Sequence, residues 1–170
     1  MKKILILLIL SYLLFISNVK SKEITIPKEA IRLRVIANSN SEYDQQIKMK
    51  LSVKINKKIT ELIGNTKDIN KAKKIIKDNI NYLNNYINDY LEKENYNLNY
   101  TIIYGENYFP NKIYNGITYN EGLYESLVIT LGKGNGKNWW CVLFPPLCLI
   151  EEEDNNNYKF FVKELLDKYF

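Results

Sequence analysis

Two glutamates are the residues best spaced for acid-base chemistry. Glu121 and Glu125 flank the segment Gly122-Leu123-Tyr124, and a pair of carboxylates is the arrangement that cleaves glycosidic bonds, for example in peptidoglycan. Such a pair works when its surroundings raise the pKa of one carboxyl group and fix the distance between the two. Nothing in the neighbouring sequence does either. We therefore expect turn and capping roles for both glutamates and keep glycan hydrolysis as the alternative.

The chain contains no histidine, and this excludes several classes of enzyme. Ser-His-Asp and Cys-His catalysis both need an imidazole base, and the zinc site of an HExxH metalloprotease needs two histidines. Structural zinc sites that mix cysteine and histidine are excluded for the same reason. We expect no metal, no cofactor and no enzymatic activity.

The two cysteines, Cys141 and Cys148, lie on either side of Pro145-Pro146. A chain reversed at the prolines would bring their Cα atoms within the roughly 7 Å that a disulfide requires, and export would permit oxidation. Two buried thiols that pack as small hydrophobic groups are an equally good interpretation. A catalytic thiolate is disfavoured because no histidine can activate it.

The glycine-rich run from Gly132 to Lys137 contains the amides and lysines that could surround an anion. A phosphate-binding loop, however, opens a helix and places Ser or Thr directly after its lysine. Here Asn138 and a tryptophan-rich strand follow instead. We therefore predict a flexible hairpin loop.

The stretch from Trp139 to Leu149 is strongly apolar. In a strand, Trp139 and Trp140 point to opposite faces, so both cannot pack in the same interior. An outward aromatic residue close to Phe144 and two rigid prolines is typical of a patch that contacts a protein or a membrane. A core strand with its cover is the other interpretation.

Residues 1–21 have the order of an export signal. Met1-Lys2-Lys3 precede the apolar run from Ile4 to Ile16, and a polar stretch up to Ser21 follows. As a helix the run would span roughly 20 Å, which is short of the roughly 30 Å hydrocarbon core of a bilayer. We predict a signal peptide that is cleaved after Ser21, with an uncleaved N-terminal anchor as the alternative.

The charge balance does not indicate a nucleic-acid partner. The leader holds Lys2, Lys3 and Lys20, and without them 21 basic residues face 19 acidic ones, a net charge of +2. Neutralising phosphates requires Lys and Arg clustered on one face. We expect no nucleic-acid binding.

Hydrophobic periodicity predicts the elements of the exported part. The apolar residues of Ile31–Val35 alternate with Arg32 and Arg34, which predicts a strand with both guanidinium groups on its outer face. Ser39 and Glu42 have the spacing of a capping box, and two amphipathic helices, from Glu42 to Ile63 and from Asp68 to about Lys93, are expected to form an antiparallel hairpin. Further predicted strands cover 97–104, 126–131 and 139–144, and Asn115-Gly116 is a hairpin-turn signal.

These elements predict an α+β fold, in which a long helical hairpin covers one face of a mostly antiparallel sheet. We expect a single domain over residues 22–150, which is long enough to fold alone. Residues 151–170 are expected to form an acidic linker and a short C-terminal amphipathic helix from Tyr158 to Phe170.

Two segments resemble a known family. The first is Ile31 to Ser41, which reads IRLRVIANSNS and is followed by Asp44-Gln45-Gln46. The second is Gly132 to Cys148, which reads GKGNGKNWWCVLFPPLC. Together they closely resemble the stage II sporulation protein R family of endospore-forming bacteria, and the resemblance extends from the leader to about Leu149.

The resemblance implies a signalling protein that is made in the forespore and exported into the space between the forespore and mother-cell membranes. There the family activates a membrane-embedded aspartic protease, stage II sporulation protein GA, which removes the pro-sequence of the mother-cell sigma factor E. No catalytic residues carry over from the family. The alternative function is that of a secreted protein that binds or hydrolyses cell-wall peptidoglycan.

Within that interpretation, one set of residues is expected to touch the receptor-protease. The apolar contacts would come from the tryptophan-proline segment, and the arginines of the first strand would pair with acidic groups of the receptor or with lipid headgroups. The predicted contact residues are Trp140, Phe144, Pro145, Pro146, Arg32 and Arg34.

Overall fold

The structure is a computed structural model that describes residues 24–114, 117–147 and 155–170, with side chains in the last range described from Val162 onward. The predicted signal peptide, the turn residues Asn115-Gly116 and the acidic residues 151–154 lie outside this description. In chain order the elements are β1 (Ile24–Thr25), β2 (Ile31–Ile36), α1 (Glu42–Ile63), α2 (Ile69–Asp78), α3 (Ile80–Lys93), β3 (Tyr100–Phe109), β4 (Lys112–Tyr114), β5 (Ile117–Tyr119), β6 (Gly122–Leu131), β7 (Asn138–Phe144) and α4 (Asn155–Tyr169).

The strands form two sheets. The main sheet has the order β3-β6-β2-β7, and the small sheet has the order β1-β5-β4. Two pairs, β2 with β6 and β1 with β5, are parallel, whereas the other three pairs are antiparallel. The α+β class is as predicted. Each sheet contains one parallel pair of strands beside its antiparallel pairs.

The helices follow the predicted periodicity, with two differences: the residue that caps α1, and a break within the second predicted helix. α1 has the predicted bounds, but its N-cap is Ser41, whose hydroxyl accepts a hydrogen bond from the Asp44 amide. The second predicted helix is divided at Asn79, whose side-chain amide donates to the carbonyl of Ile75 at 2.8 Å. An Asn side chain that bonds the backbone in this way competes with the continuing helix, so α2 and α3 replace one long helix.

The main core lies between the helices and one face of the main sheet. The inward residues of β2 and β6 meet the apolar stripes of α1 and α3, as alternation and helical periodicity require. The largest members of this core include Leu33, Leu51, Ile55, Ile59, Leu83, Ile87, Leu127 and Ile129.

A second cluster covers part of the opposite face of the main sheet. Its buried members come from the small sheet, from β7, from α4 and from the segments that follow β1 and β7. They are Ile26, Ala30, Ile117, Val142, Leu147 and Val162. This cover was not part of the sequence prediction, which placed protein on one face only. It decides which outward-pointing side chains of β2 reach solvent.

The C-terminal helix packs against both clusters. Val162 is buried in the second cluster, and Tyr169 lies edge-on to Phe144 with 5.0 Å between the ring centroids. α4 begins at Asn155, three residues before the predicted start. Across the part of the chain that the structure covers, every helix is too short or too polar to cross a bilayer.

Candidate partner-binding face

The outer face of the main sheet, which points away from α1, is built from alternate residues of all four strands. Ile103 of β3 pairs with Val128 of β6, Val128 pairs with Arg34 of β2, and Arg34 pairs with Trp140 of β7. Residues that oppose one another across strands share a face. We call these four residues the Arg34 row.

The two ends of the Arg34 row differ in exposure. Ile103 is 54% exposed, although it lies in a strand whose neighbouring apolar residues face the helices. Val128, beside it, is only 8% exposed. The row therefore presents an exposed aliphatic group, a covered aliphatic group, a guanidinium and an indole in sequence across the sheet.

Trp140 is the centre of an aromatic and cationic contact set. Its ring lies 5.1 Å from the ring of Phe109, 4.6 Å from the guanidinium carbon of Arg34 and 5.8 Å from Nζ of Lys112. Trp139 points the other way and packs against the main core. The alternation of the two tryptophans is thus the one that period two predicts.

Arg34 has no acidic partner within the described part of the chain. Its Nε is buried and has no hydrogen-bond partner there, and no carboxylate lies within ion-pair distance. Burial lowers the pKa of its guanidinium below the ordinary value, yet arginine stays protonated at neutral pH. A positive charge that stacks on an indole is therefore left without a counter-ion on this face.

Arg32, two residues earlier on the same face, is not a surface residue. It is 2% exposed, and its guanidinium carbon lies 3.4 Å from the ring centroid of Tyr124, 5.3 Å from that of Phe109 and 6.0 Å from that of Tyr119. Burial lowers its pKa, an effect that Tyr124 and Tyr119 partly oppose. Arg32 lies on the outer face of the strand as predicted, but these rings cover it, so the prediction that it pairs with a receptor or with lipid headgroups is wrong.

Phe144 and Pro145 are also interior residues. Phe144 is 1% exposed and belongs to the main core, Pro145 is buried, and Pro146 is half-buried; the Phe144–Pro145 peptide bond is cis. Their burial contradicts the prediction that Phe144 and Pro145 are receptor contacts beside Trp140. The pairing shifts so that Arg32 faces Val142 while Ile31 faces Phe144, and this β-bulge turns Phe144 onto the helix side.

Cys141 is disulfide-bonded and packs at the edge of the main core. Its state agrees with the first of the two interpretations of the cysteines. Cys148, the other cysteine of the chain, lies outside the described residues.

A polar cluster joins the end of β2 to α1 through Asp44. The hydroxyl of Ser39 donates to Asp44 Oδ2 at 2.6 Å, and Nδ2 of Asn38 donates to the same oxygen at 2.9 Å. Burial opposes ionisation of Asp44, but the hydrogen bonds from Ser39, Asn38 and Ser41 outweigh it, so its pKa lies below the ordinary value. The ionised carboxylate thus holds the loop after β2 in place.

The glycine-rich loop is fastened to the same cluster. The amide of Lys133 donates to Asn38 Oδ1 at 3.0 Å, and the amide of Lys137 donates to Asn40 Oδ1 at 2.9 Å. The amide of Gly136 donates to the carbonyl of Ala37 at 2.8 Å. We call the contact between residues 37–41 and 132–137 the asparagine clasp.

The clasp gives the glycine-rich run a structural role. Amides that could bind a phosphate already donate to asparagine side chains and backbone carbonyls, which agrees with the rejection of a phosphate loop. A Cβ atom at Gly136 would collide with the carbonyl oxygen of Ser39. The clasp therefore fixes the start of β7 and, with it, the position of Trp140.

The two candidate catalytic glutamates have other roles. Glu125 accepts a hydrogen bond from the Tyr104 hydroxyl at 2.7 Å and pairs with Lys73 at 2.7 Å. Burial raises its pKa, but the bonds from Lys73 and Tyr104 outweigh this and leave the pKa lowered. Glu121 is exposed and accepts from the Tyr108 hydroxyl at 3.2 Å. A general acid needs a raised pKa, so Glu125 is unsuited to that role.

Sequence analysis missed Ile103 and Lys112 as parts of the outer face. Ile103 could have been found from the sequence, because it is an aliphatic residue at a strand position where the alternation predicts a polar one. Lys112 could not, since its place beside Trp140 depends on how the small sheet packs. Among the described residues no cluster of His, Cys, Asp and Glu could hold a metal ion.

Comparison with known proteins places both motif segments in one family. The family model described as Stage II sporulation protein R matches residues 27–154. Stage II sporulation protein R of Bacillus subtilis (strain 168) is 35% identical over 149 residues, which cover 88% of this chain and 65% of that protein. The chain thus spans slightly less than two thirds of that relative, and no solved structure matches it. The chain belongs to the stage II sporulation protein R family.

Proposed function

We propose that this protein is an exported sporulation signal that activates a membrane-embedded aspartic protease, stage II sporulation protein GA, by binding to it. It would leave the forespore, enter the space between the two membranes and trigger removal of the pro-sequence of sigma factor E in the mother cell. Membership in a sporulation family supports the process. The Arg34 row is the observation that supports action by contact.

The features of the Arg34 row are those of a contact surface. Interaction hot spots are enriched in tryptophan and arginine that rest on a rigid, packed base. Trp140 is held by Phe109 on one side, and the asparagine clasp holds the strand on which it lies. Ile103 adds exposed apolar area at the other end of the row.

The proposed mechanism is a shift of population in the receptor. A protein that binds the active form of the protease more tightly than the inactive form raises the fraction of the active form. The signal protein needs no catalytic group for this. The lowered pKa of Glu125 and the lack of histidine in the chain are consistent with that role.

Reconstitution tests this function. The receptor-protease and the sigma factor precursor are placed in vesicles, purified signal protein is added to the outside, and precursor cleavage is followed with time. We expect cleavage only when the signal protein is present and at a rate that saturates with its concentration.

The same preparation distinguishes the alternative function. Purified peptidoglycan is incubated with the protein, and released fragments and retained protein are measured. Fragment release or retention on peptidoglycan, together with no effect on the receptor-protease, would replace the signalling proposal with the cell-wall one.

A further inference from the structure

We propose that the Arg34 row, together with Lys112, is the binding site for a carboxylate side chain in an acidic and apolar segment of the partner protein. The inference rests on the proposed function, because the receptor-protease is the partner expected to supply that segment. It goes further by stating what the partner must present: an aspartate or glutamate flanked by apolar side chains.

The charge of this face favours an anionic occupant. Arg34 and Lys112 lie within 5.8 Å of the same indole ring, and neither forms an ion pair within the described residues. What sets the two apart from other unpaired cations is that both lie against one aromatic ring. Two neighbouring cations without a counter-charge attract an anion from outside.

The geometry of Arg34 favours a carboxylate over a diffuse negative surface. Its guanidinium carbon lies 4.6 Å from the ring centroid of Trp140, and this contact restrains the side chain before binding. The planar fork of a guanidinium matches the two oxygens of a carboxylate.

The rest of the row favours apolar neighbours for that carboxylate. Ile103 is 54% exposed on the far side of Val128 from Arg34. The ring of Trp140 flanks Arg34 on the other side. An extended segment that crosses the strands would place its charged residue over Arg34 and its apolar residues over Ile103 and Trp140.

A peptide titration tests this site without the receptor. The probe is acetyl-Leu-Ser-Glu-Ser-Leu-amide, whose leucines and glutamate share one side of an extended chain; its neutral counterpart is acetyl-Leu-Ser-Gln-Ser-Leu-amide. The NMR signals of the Trp140 indole N–H and the Arg34 Nε–H are followed. The proteins are the wild type, Arg34→Gln, Arg34→Lys, Lys112→Gln and the control Lys71→Gln. Lys71 is exposed on α2 and forms no ion pair with the described residues.

The expected result is saturable movement of both signals with the glutamate peptide and none with the glutamine peptide. Losing a charge-assisted hydrogen bond should weaken binding by about tenfold or more in Arg34→Gln. Arg34→Lys should bind with intermediate affinity because it keeps the charge and loses the fork. The exposed Lys112→Gln should weaken binding without affecting the fold, and Lys71→Gln should bind like the wild type.

Three results would overturn the proposal. The first is equal binding of the two peptides, and the second is wild-type affinity in both Arg34→Gln and Lys112→Gln. The third is movement of the Trp140 and Arg34 signals by phosphatidylglycerol vesicles but not by the glutamate peptide, which would assign the face to lipid. Peptide binding without protease activation in the reconstituted vesicles would leave this site standing and refute the proposed function.

Discussion

Arg32 and Arg34 lie two residues apart on the same face of β2, yet their surroundings give them different roles. Arg32 is 2% exposed and enclosed by three aromatic rings, whereas Arg34 is half-buried and contacts one indole; neither forms an ion pair within the described residues. Alternation places both on the outer face. The rings of Tyr124 on β6, Phe109 on β3 and Tyr119 on β5 enclose the first, which leaves the second as the candidate partner contact.

Replacing Arg32 tests its structural role. We expect Arg32→Ala to lower the free energy of unfolding by about 3 kcal/mol, because it removes cation–π contacts and leaves a cavity among the rings. Arg32→Met fills most of that space and should cost less than half as much. Urea denaturation of the three proteins measures both changes, and equal stability of the alanine variant and the wild type would refute the role.

Asp44 provides a prediction on pH. Its pKa is lowered in the folded protein from the ordinary 3.8, so it stabilises the fold above that value and loses its contribution as pH falls through the folded-state pKa. We expect Asp44→Asn to lower the free energy of unfolding by about 2 kcal/mol at pH 7, because the hydrogen bonds from Ser39 and Asn38 become weaker. Near pH 2 the loss should be much smaller.

Urea denaturation of wild type and Asp44→Asn at several pH values between 7 and 2 makes this measurement. The difference in stability between the two proteins should shrink as pH falls. A difference that stays constant or grows toward acid pH would show that Asp44 does not act as an ionised acceptor.

At the scale of elements, the asparagine clasp and the bulge in β7 fix the candidate partner-binding face from its two ends. The clasp holds residues 132–137 against the end of β2, where β7 begins. The bulge near the other end of β7 turns Phe144 toward the core while Trp140 stays outside. Most of the two segments that resemble the family therefore serves to position Trp140 and Arg34.

Gly136 tests the clasp. We expect Gly136→Ala to lower the free energy of unfolding by about 2 kcal/mol, since the new methyl group would be forced against the carbonyl oxygen of Ser39. Asn135→Ala is the matched control: its side chain is exposed, and its amide bond to Asn38 is kept, so the change should stay within about 0.5 kcal/mol. Thermal unfolding of both variants gives the comparison, and a loss for Gly136→Ala as small as the one expected for Asn135→Ala would indicate that the loop tolerates a side chain at Gly136.

The sequence predicted an element well where its apolar residues repeat regularly over the whole element. The bounds of α1 and the strand character of Ile31–Ile36 follow from apolar spacing alone. The division at Asn79 depends on one side-chain bond to the backbone, which spacing does not reveal. The surroundings of Arg32 are rings on β6, β3 and β5, and Phe144 packs against Tyr169 of α4; both sets of contacts come from segments distant in the sequence.

For the whole molecule, these contacts give two differently covered faces. The helices cover one face of the main sheet, and the small sheet and α4 cover part of the other. The family match ends at residue 154, yet α4 beyond it contributes Val162 and Tyr169 to the two cores. In the Arg34 row Ile103 stays exposed and Arg34 and Trp140 are half-buried, which makes this row the candidate for contact with a partner.

The adjacent tryptophans test this assignment most directly, because they lie on opposite faces of the same strand. Trp140→Ala and Trp139→Ala are compared in the reconstituted precursor-cleavage assay, at a temperature at which circular dichroism shows both variants folded. Loss of a hot-spot side chain should reduce the activity of Trp140→Ala by about tenfold or more, while folded Trp139→Ala should retain it. Wild-type cleavage by folded Trp140→Ala would contradict the account.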